Sequence, residues 1–170
     1  GSLMSRGFVR EDDQEEAPFI PPRAPLPDGV ANYVTPRGLD QLLDERRRLE
    51  EERKAATGSD DERRRQHAGI DGRLALLNER IVSARVMEAE AGDQNEVRFG
   101  NTVTFTFLSG PLSGQQRTFT IVGVDEASVP DGRIAFTAPL ARALMGKCEG
   151  EEIGSTTRQA VQRARLDSIR

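Results

Sequence analysis

Apolar residues recur at helical spacing in the first half of the chain and at alternating positions in the second half. In "TPRGLDQLLDERRRLEEERK", Thr35 suits the N-cap of a helix. Pro36 suits the first helical position, because its missing N–H needs no partner there. The leucines that follow lie on one face and are Leu39, Leu42, Leu43 and Leu49. The pattern predicts a helix from Pro36 to a break at Thr57-Gly58.

A second apolar stripe begins after that break, at steps of four and three residues, and consists of Ile70, Leu74, Leu77, Ile81 and Ala84. It predicts a helix from Ser59 to about Glu90. Two such helices joined by a tight turn predict an antiparallel coiled-coil hairpin over residues 33–91. Gly69 and Gly72 each cost the helix about 1 kcal/mol relative to alanine, so we expect a firm base and a loose tip.

The second half of the chain has the alternation of half-buried strands. "TVTFTFL" (102–108), "RTFTIVGV" (117–124) and "RIAFTA" (133–138) predict three strands, and "PLARALMG" predicts a short helix that starts at Pro139. The final stretch (155–170) permits a helix, but "ARLDSI" favours an edge strand that closes the sheet. Residues 97–170 therefore predict a small antiparallel sheet domain with one short helix, and the whole chain predicts an α+β fold.

The N-terminal residues 1–32 have a different composition. Gly1 to Leu3 resemble an expression-tag remnant, and the rest is acidic and holds five of the nine prolines. Proline blocks helices and removes backbone donors, so we predict an extended or disordered arm. Its apolar residues Phe19 and Ile20 could dock on a partner.

Charge and cysteine content exclude several classes of function. The net charge is −4, so sequence-specific binding of nucleic acid through bulk positive charge is not expected. The single cysteine, Cys148, cannot form an intrachain disulfide, and His67 has no neighbouring Cys or His for a metal site. No run has the ~18 apolar residues needed to span a bilayer. We expect a cytoplasmic monomer with no metal or cofactor of its own.

The turn "AATGSDDERRRQ" (55–66) carries the one acidic cluster that could do chemistry, Asp60-Asp61-Glu62. Carboxylates suit a hard cation such as Mg²⁺. The same residues with Ser59 form an S-x-x-E capping box, and acids in a first turn complement the helix dipole, so capping alone explains them. The arginines 63–65 could meet acidic surfaces of a partner or form a solvated face.

Four stretches together resemble the GreA/GreB family of bacterial transcription elongation factors. They are "YVTPRGLDQL" (33–42), "VRFGNTVTF" (97–105), "IVGVDEA" (121–127) and "RIAFTAPLARALMGKCEGEEI" (133–153). The resemblance implies an antiparallel coiled-coil hairpin followed by a domain of the FK506-binding-protein (FKBP) type. It also implies a partner, bacterial RNA polymerase, whose secondary-channel rim the C-terminal domain would contact.

By position, the resemblance assigns that contact to two segments. One is the loop Thr137, Ala138 and Pro139 before the short helix, and the other is the turn Asp125, Glu126 and Ala127. At the hairpin tip the family carries a "GDLxENAEY"-like motif whose acids hold a catalytic Mg²⁺ and promote RNA cleavage by the polymerase itself. Asp60, Asp61 and Glu62 are the candidates for that role here.

The tip departs from the family pattern. The position of the family aspartate falls on Ser59, and "RRRQ" stands where "NAEY" is expected. The predicted hairpin is also shorter by roughly three turns, on the order of 15 Å. We therefore expect a non-enzymatic regulator that binds the polymerase without efficient cleavage.

Three alternatives stay open. A cleavage-stimulating factor would deliver Mg²⁺ through the tip carboxylates to the polymerase active site. A prolyl isomerase would need an aromatic pocket around a bound proline. A generic coiled-coil adaptor would not bind the polymerase at all.

Overall fold

The computed structural model describes residues 17–90, 94–156 and 161–170. Helices come first along the chain and most strands follow, so the α+β class is confirmed at that level. The described residues fall into two compact units. One joins 17–23 to 42–82, and the other joins 24–41 to 83–170.

The first unit contains most of two helices, α1 (Pro36–Lys54), from residue 42 onward, and α2 (Asp60–Ser83), up to residue 82. Their antiparallel direction follows from pairs that cross between them. Arg53 binds Asp71 at 2.8 Å, and Arg73 binds Glu52 at 2.8 Å, so residues that lie later in α1 meet residues that lie earlier in α2. The apolar stripes predicted for both helices supply the buried side chains of this unit, which are Leu42, Leu49, Ile70 and Leu77.

The prediction that the second helix continues to about Glu90 is wrong. α2 ends at Ser83, and the next residues form strand β2 (Ala84–Val86), so Ala84 is not part of the helical stripe. β2 pairs in parallel with β1 (Asn32–Val34), and the Met87 N–H donates to the Val34 carbonyl at 2.8 Å. Pairing with a distant segment satisfies backbone groups that a longer helix would otherwise satisfy.

The second unit contains a five-stranded sheet in the order β5-β4-β3-β7-β6. Its strands are β3 (Thr102–Phe107), β4 (Gln116–Val122), β5 (Arg133–Ala135), β6 (Glu152–Thr156) and β7 (Val161–Ile169). The β4–β5 pair is parallel and the other pairs are antiparallel, so the sheet is mixed and not antiparallel as predicted. A short 3₁₀ turn at Val129–Asp131 allows the chain to cross over between the two parallel strands.

The last stretch of the chain is a strand, as favoured, but it does not lie at an edge of the sheet. β7 pairs with β3 on one side and with β6 on the other. Leu166 and Ala164 are buried in β7, which fits an interior strand. The edge is formed by β6, a strand that the sequence pattern did not predict.

The core of this unit lies between the sheet and helix α3 (Pro139–Leu144), which begins at the predicted proline. The fully buried Val103, Phe105 and Ile121 come from alternate positions of β3 and β4, as their patterns predicted. Ala141 and Leu144 contribute the inner face of α3. Phe107 and Phe119 pack against the cluster while partly exposed.

Residues 17–31 of the N-terminal arm form neither helix nor strand, in agreement with the prediction for that part of the arm. The remainder of the arm, residues 1–16, lies outside the described residues. None of the helices within the described ranges is long and apolar enough to cross a membrane.

Gly123, just after β4, packs directly against the backbone of β1. A Cβ atom at this position would lie 2.4 Å from the Tyr33 carbonyl oxygen. Because backbone cannot move aside as a flexible side chain can, we expect Gly123→Ala to lower the free energy of unfolding by about 1–3 kcal/mol. Urea unfolding followed by circular dichroism measures this.

Gly154→Ala is the matched control, because a Cβ there meets no heavy atom within 4 Å. Equal stability of the two variants would contradict the close packing inferred at Gly123.

Candidate functional site

The acidic triplet at the start of α2 contains the predicted capping box. The Ser59 N–H donates to Glu62 Oε1 at 3.0 Å, and the Glu62 N–H donates to Ser59 Oγ at 3.2 Å. The bond from the Ser59 backbone, followed by that from its side chain, lowers the pKa of Glu62. Glu62 is therefore held ionised and directed at the helix end.

Asp60 and Asp61 are held by arginines one turn further along the same helix. Asp60 pairs with Arg63, and Asp61 pairs with Arg64 at 3.0 Å. Both pairs are exposed, and exposed i,i+3 pairs contribute little stability, so water or ions can replace them. The three acids are engaged by separate partners, and within the described residues no group of three or more His, Cys, Asp or Glu is arranged to hold a metal ion.

Polar contacts close the turn between the helices, where large apolar side chains are lacking. His67 Nε2 lies 3.0 Å from the Arg53 carbonyl oxygen, in the last turn of α1. Gln66 Nε2 donates to the Thr57 carbonyl at 3.0 Å. The lone histidine thus has a structural contact at a helix end.

Among the residues proposed to contact a polymerase, Glu126 is buried. Its side chain is 4% exposed, and Arg37 donates to its Oε2 at 3.0 Å. The Thr35 hydroxyl donates to its Oε1 at 2.5 Å. The carboxylate faces inward and both of its oxygens are occupied, so a partner would not reach it in this conformation.

Thr35 connects this carboxylate to the start of α1. While its hydroxyl donates to Glu126, the same oxygen accepts a bond from the Gly38 N–H at 2.9 Å, which is the predicted N-cap interaction. A Cβ on Gly38 would lie 2.8 Å from Glu126 Oε1, so only glycine fits there without a shift. Glu126 therefore orients the hydroxyl of Thr35, which caps α1 and lies 91 residues away in the sequence.

The other proposed contact residues lie in the two segments that follow β4 and β5. Val122 in β4 pairs with Ala135 in β5, so the two segments start side by side at the carboxyl ends of these strands. By Ser128 the first segment has returned to the start of β5, where Ser128 bridges Arg133. Ala127 and Pro139 are exposed, whereas Asp125, Thr137 and Ala138 are partly exposed. Pro139 is the first residue of α3. The parallel pairing thus aligns the points at which the two predicted segments begin.

An aromatic cluster near β1 was missed by sequence reasoning. The rings of Tyr33, Phe99 and Phe136 meet with centroids 5.6–6.0 Å apart, and they border a recess of about 780 Å³ that Met87 and Met145 also line. Tyr33 is the chain's only tyrosine, and it precedes a predicted helix instead of belonging to the sheet domain. The position of Tyr33 follows from the parallel β1–β2 pairing. No local sequence pattern predicts that pairing, so the sequence could not have indicated the cluster.

Part of the chain matches known proteins in sequence. Residues 92–167 match the family described as "Transcription elongation factor, GreA/GreB, C-term". Transcription elongation factor GreA of Hyphomonas neptunium is 41% identical over 83 residues, which are 49% of this chain and 51% of that protein. GreA of Listeria welshimeri is 33% identical over 104 residues, 61% of this chain and 63% of that protein. The matches thus span 51% and 63% of the length of these two relatives.

Among solved structures, GreA factor homolog 1 (Gfh1) of Thermus thermophilus is similar to this chain. The match covers 83% of this chain and 99% of that one, at 20% identity and a TM-score of 0.38.

Replacing Glu126 by glutamine tests the buried contact. The glutamine would place an amide N–H₂ or its carbonyl opposite Arg37, and a neutral acceptor binds a guanidinium more weakly than a carboxylate does. We expect Glu126→Gln to lower the free energy of unfolding by roughly 1–3 kcal/mol, the range for a buried hydrogen bond to a charged group. Urea unfolding measures the change, with the exposed Glu149→Gln as the control.

The capping box predicts a pH dependence that is specific to the start of α2. The pKa of Glu62 is lowered in the fold, so its contribution is complete above the ordinary glutamate pKa of about 4.3 and is lost as pH falls through the lower folded value. Amide hydrogen exchange at residues 60–63, measured from pH 7 downward, should show this loss of protection. Glu62→Gln should abolish the pH-dependent part, because it removes the titrating carboxylate, whereas Asp61→Asn, outside the box, should preserve it.

Proposed function

We propose that this chain, whose residues 92–167 match the C-terminal domain of the GreA/GreB family, is a Gre-like transcription regulator that binds bacterial RNA polymerase at the secondary-channel rim. In this proposal it acts as a monomer and does not promote efficient transcript cleavage. Its architecture is that of an antiparallel coiled-coil hairpin followed by an FKBP-like domain. The relatives that carry the name transcription elongation factor GreA support the assignment to transcription.

The docking surface in this proposal consists of the two segments that follow β4 and β5. Pro139 and Ala127 are exposed in these segments, and Thr137 and Ala138 are partly exposed. A rigid proline at the start of α3 presents a fixed apolar surface to a partner. Glu126 contributes in a different way from the sequence prediction: it stays buried and holds its own turn in place.

The arrangement of the tip carboxylates is the observation that supports a regulator that does not promote efficient cleavage. Glu62 is bound in the capping box, and Asp60 and Asp61 are paired along their own helix, so the three do not converge. α1 has 19 residues, which correspond to about 28 Å. A carboxylate oxygen binds Mg²⁺ only at a distance of about 2.1 Å. If the hairpin is several turns shorter than the family's, its tip carboxylates stay out of bonding distance of the polymerase metal, and no weaker binding is left at longer range.

Docking is tested by capture of purified bacterial RNA polymerase on the immobilised protein. We expect wild type to retain the polymerase and Pro139→Asp to lose most of it, because a charge replaces an apolar contact. Glu149→Gln, exposed and outside the proposed surface, is the control. Retention equal to wild type in the Pro139 variant would exclude this surface as the contact, and no retention by wild type would favour the generic adaptor.

Cleavage is tested separately, with backtracked elongation complexes and radiolabelled RNA. We expect little shortening of the transcript beyond the polymerase's intrinsic rate. Asp60→Ala, Asp61→Ala and Glu62→Ala should each leave this rate unchanged. Strong stimulation by wild type that any of these changes removes would establish the alternative, a Mg²⁺-delivering cleavage factor.

A further inference from the structure

Residues 17–23, here called the strap, lie along the helical unit as a short proline-rich segment. Pro18, Pro21 and Pro22 make up three of its seven residues. Proline fixes φ at about −65°, so such a segment has little conformational freedom to lose when it packs against another surface. The strap is therefore suited to bind in one fixed conformation.

The first anchor of the strap is on α1. Arg23 donates to both carboxylate oxygens of Glu45, at 2.8 and 3.1 Å. The Arg23 side chain is 17% exposed and that of Glu45 is 35% exposed, so the pair is more withdrawn from water than an ordinary surface ion pair. A guanidinium that binds both oxygens of a carboxylate is fixed in orientation as well as held by charge.

The second anchor is on α2, where Ile20 occupies the space that a side chain at Gly72 would fill. An ideal Cβ at Gly72 would lie 2.4 Å from Ile20 Cδ1 and 2.7 Å from its Cγ1. Because two atoms of the side chain are in the way, a small rotation of its end does not make room. Pro18 lies beside Gly69 at 3.9 Å from the corresponding position, which is an ordinary van der Waals distance. Only Gly72 must therefore lack a side chain for the strap to sit as it does.

The spacing of the two anchors matches the spacing of their sites on the helices. Arg46, next to the first anchor on α1, donates to Asn78 of α2 at 3.4 Å, so the first anchor lies at the level of that residue. Gly72 lies six residues, or about 9 Å, nearer the start of α2. From Arg23 to Ile20 there are three residues of extended proline-rich chain, which also span about 9 Å. Both anchors are thus occupied at the same time without strain in the strap.

We propose that the strap is a releasable clamp on the helix pair, held by one anchor on each helix, and that its seating keeps the middle of α2 ordered. Glycine in a helix interior favours the unfolded chain, and α2 has two glycines on the face that the strap covers. The strap supplies there the packing that side chains of α2 do not. Lifting it opens to solvent the recess of about 570 Å³ that Ile20 forms with Gly72 and Leu76.

The two anchors differ in kind, and so do the conditions that release them. The Arg23–Glu45 pair is weakened by salt or by a charged partner that competes for either group. The contact between Ile20 and Gly72 is apolar and steric, so it responds to a change of side-chain volume on either side. A clamp with these two anchors links the order of α2 to the occupancy of the strap. This inference does not depend on the proposed polymerase contact.

Amide hydrogen exchange at residues 70–76 of the full chain tests the clamp. Ile20→Asp puts a charge into the apolar anchor, and we expect it to speed exchange at 70–76 about ten-fold, because local opening of α2 becomes easier. Phe19→Asp is the matched control, because the Phe19 side chain is 82% exposed and the same charge there leaves the anchor intact. Exchange in strand β3 should be unchanged in both variants, which shows that they are folded. Equal exchange at 70–76 in Ile20→Asp and wild type would overturn the proposal.

The sign of a glycine substitution separates the clamp from helix propensity. Alanine is the better helix former, so Gly72→Ala by itself should slow exchange at 70–76. In the wild-type background we expect it to speed exchange instead, because it expels Ile20, whereas in an Ile20→Ala background it should slow exchange. Gly69→Ala should slow exchange in both backgrounds, because Pro18 leaves room for the added methyl. Slower exchange on Gly72→Ala in the wild-type background would contradict the seating of Ile20.

Charge reversal tests the anchor on α1. Arg23→Glu should speed exchange at 70–76, although this residue binds the other helix, and combining it with Glu45→Arg should restore much of the protection. Salt at about 1 M, where the Debye length is about 3 Å, should speed exchange in wild type and have less effect on Arg23→Glu. Exchange at 70–76 that is insensitive to Arg23→Glu would show that the strap does not clamp the two helices together.

Discussion

A buried carboxylate with two separate donors is the interaction on which the start of α1 depends. Glu126 accepts from Arg37 and from the Thr35 hydroxyl, and that hydroxyl in turn accepts from the Gly38 N–H. Removing a charge from water costs several kcal/mol unless hydrogen bonds satisfy it, so the three residues are constrained as a group. The turn after β4, the cap of α1 and the glycine in its first turn cannot be varied independently.

This network shows which parts of the fold the sequence could predict. The Thr35-Pro36 start of α1 and the Ser59–Glu62 box were predictable because each signal is contained in four residues or fewer. The contribution of Glu126 to the first cap was not predictable, because the "DEA" turn and the start of α1 come into contact only in the folded chain. The family resemblance by position therefore assigned Glu126 to a partner surface, although its side chain is 4% exposed.

The errors in the fold have the same origin. The end of α2 at Ser83, the parallel β4–β5 pair and the interior position of β7 all depend on which distant strand is available for pairing. Apolar periodicity identifies a strand and its inner face, but it does not identify the neighbour. Gly69 and Gly72 are a further case. Helix propensity treats them as a defect of about 1 kcal/mol each, whereas in the structure they make room for Pro18 and Ile20.

The tip of the helices shows why carboxylate content alone does not identify a metal site. To bind a cation, the Glu62 carboxylate would have to leave the hydrogen bond from the Ser59 N–H, which already favours its ionised form. Asp60 and Asp61 would give up only exposed pairs, which cost little. Geometry is therefore the stronger constraint, because successive residues of a helix project about 100° apart and cannot all face one ion.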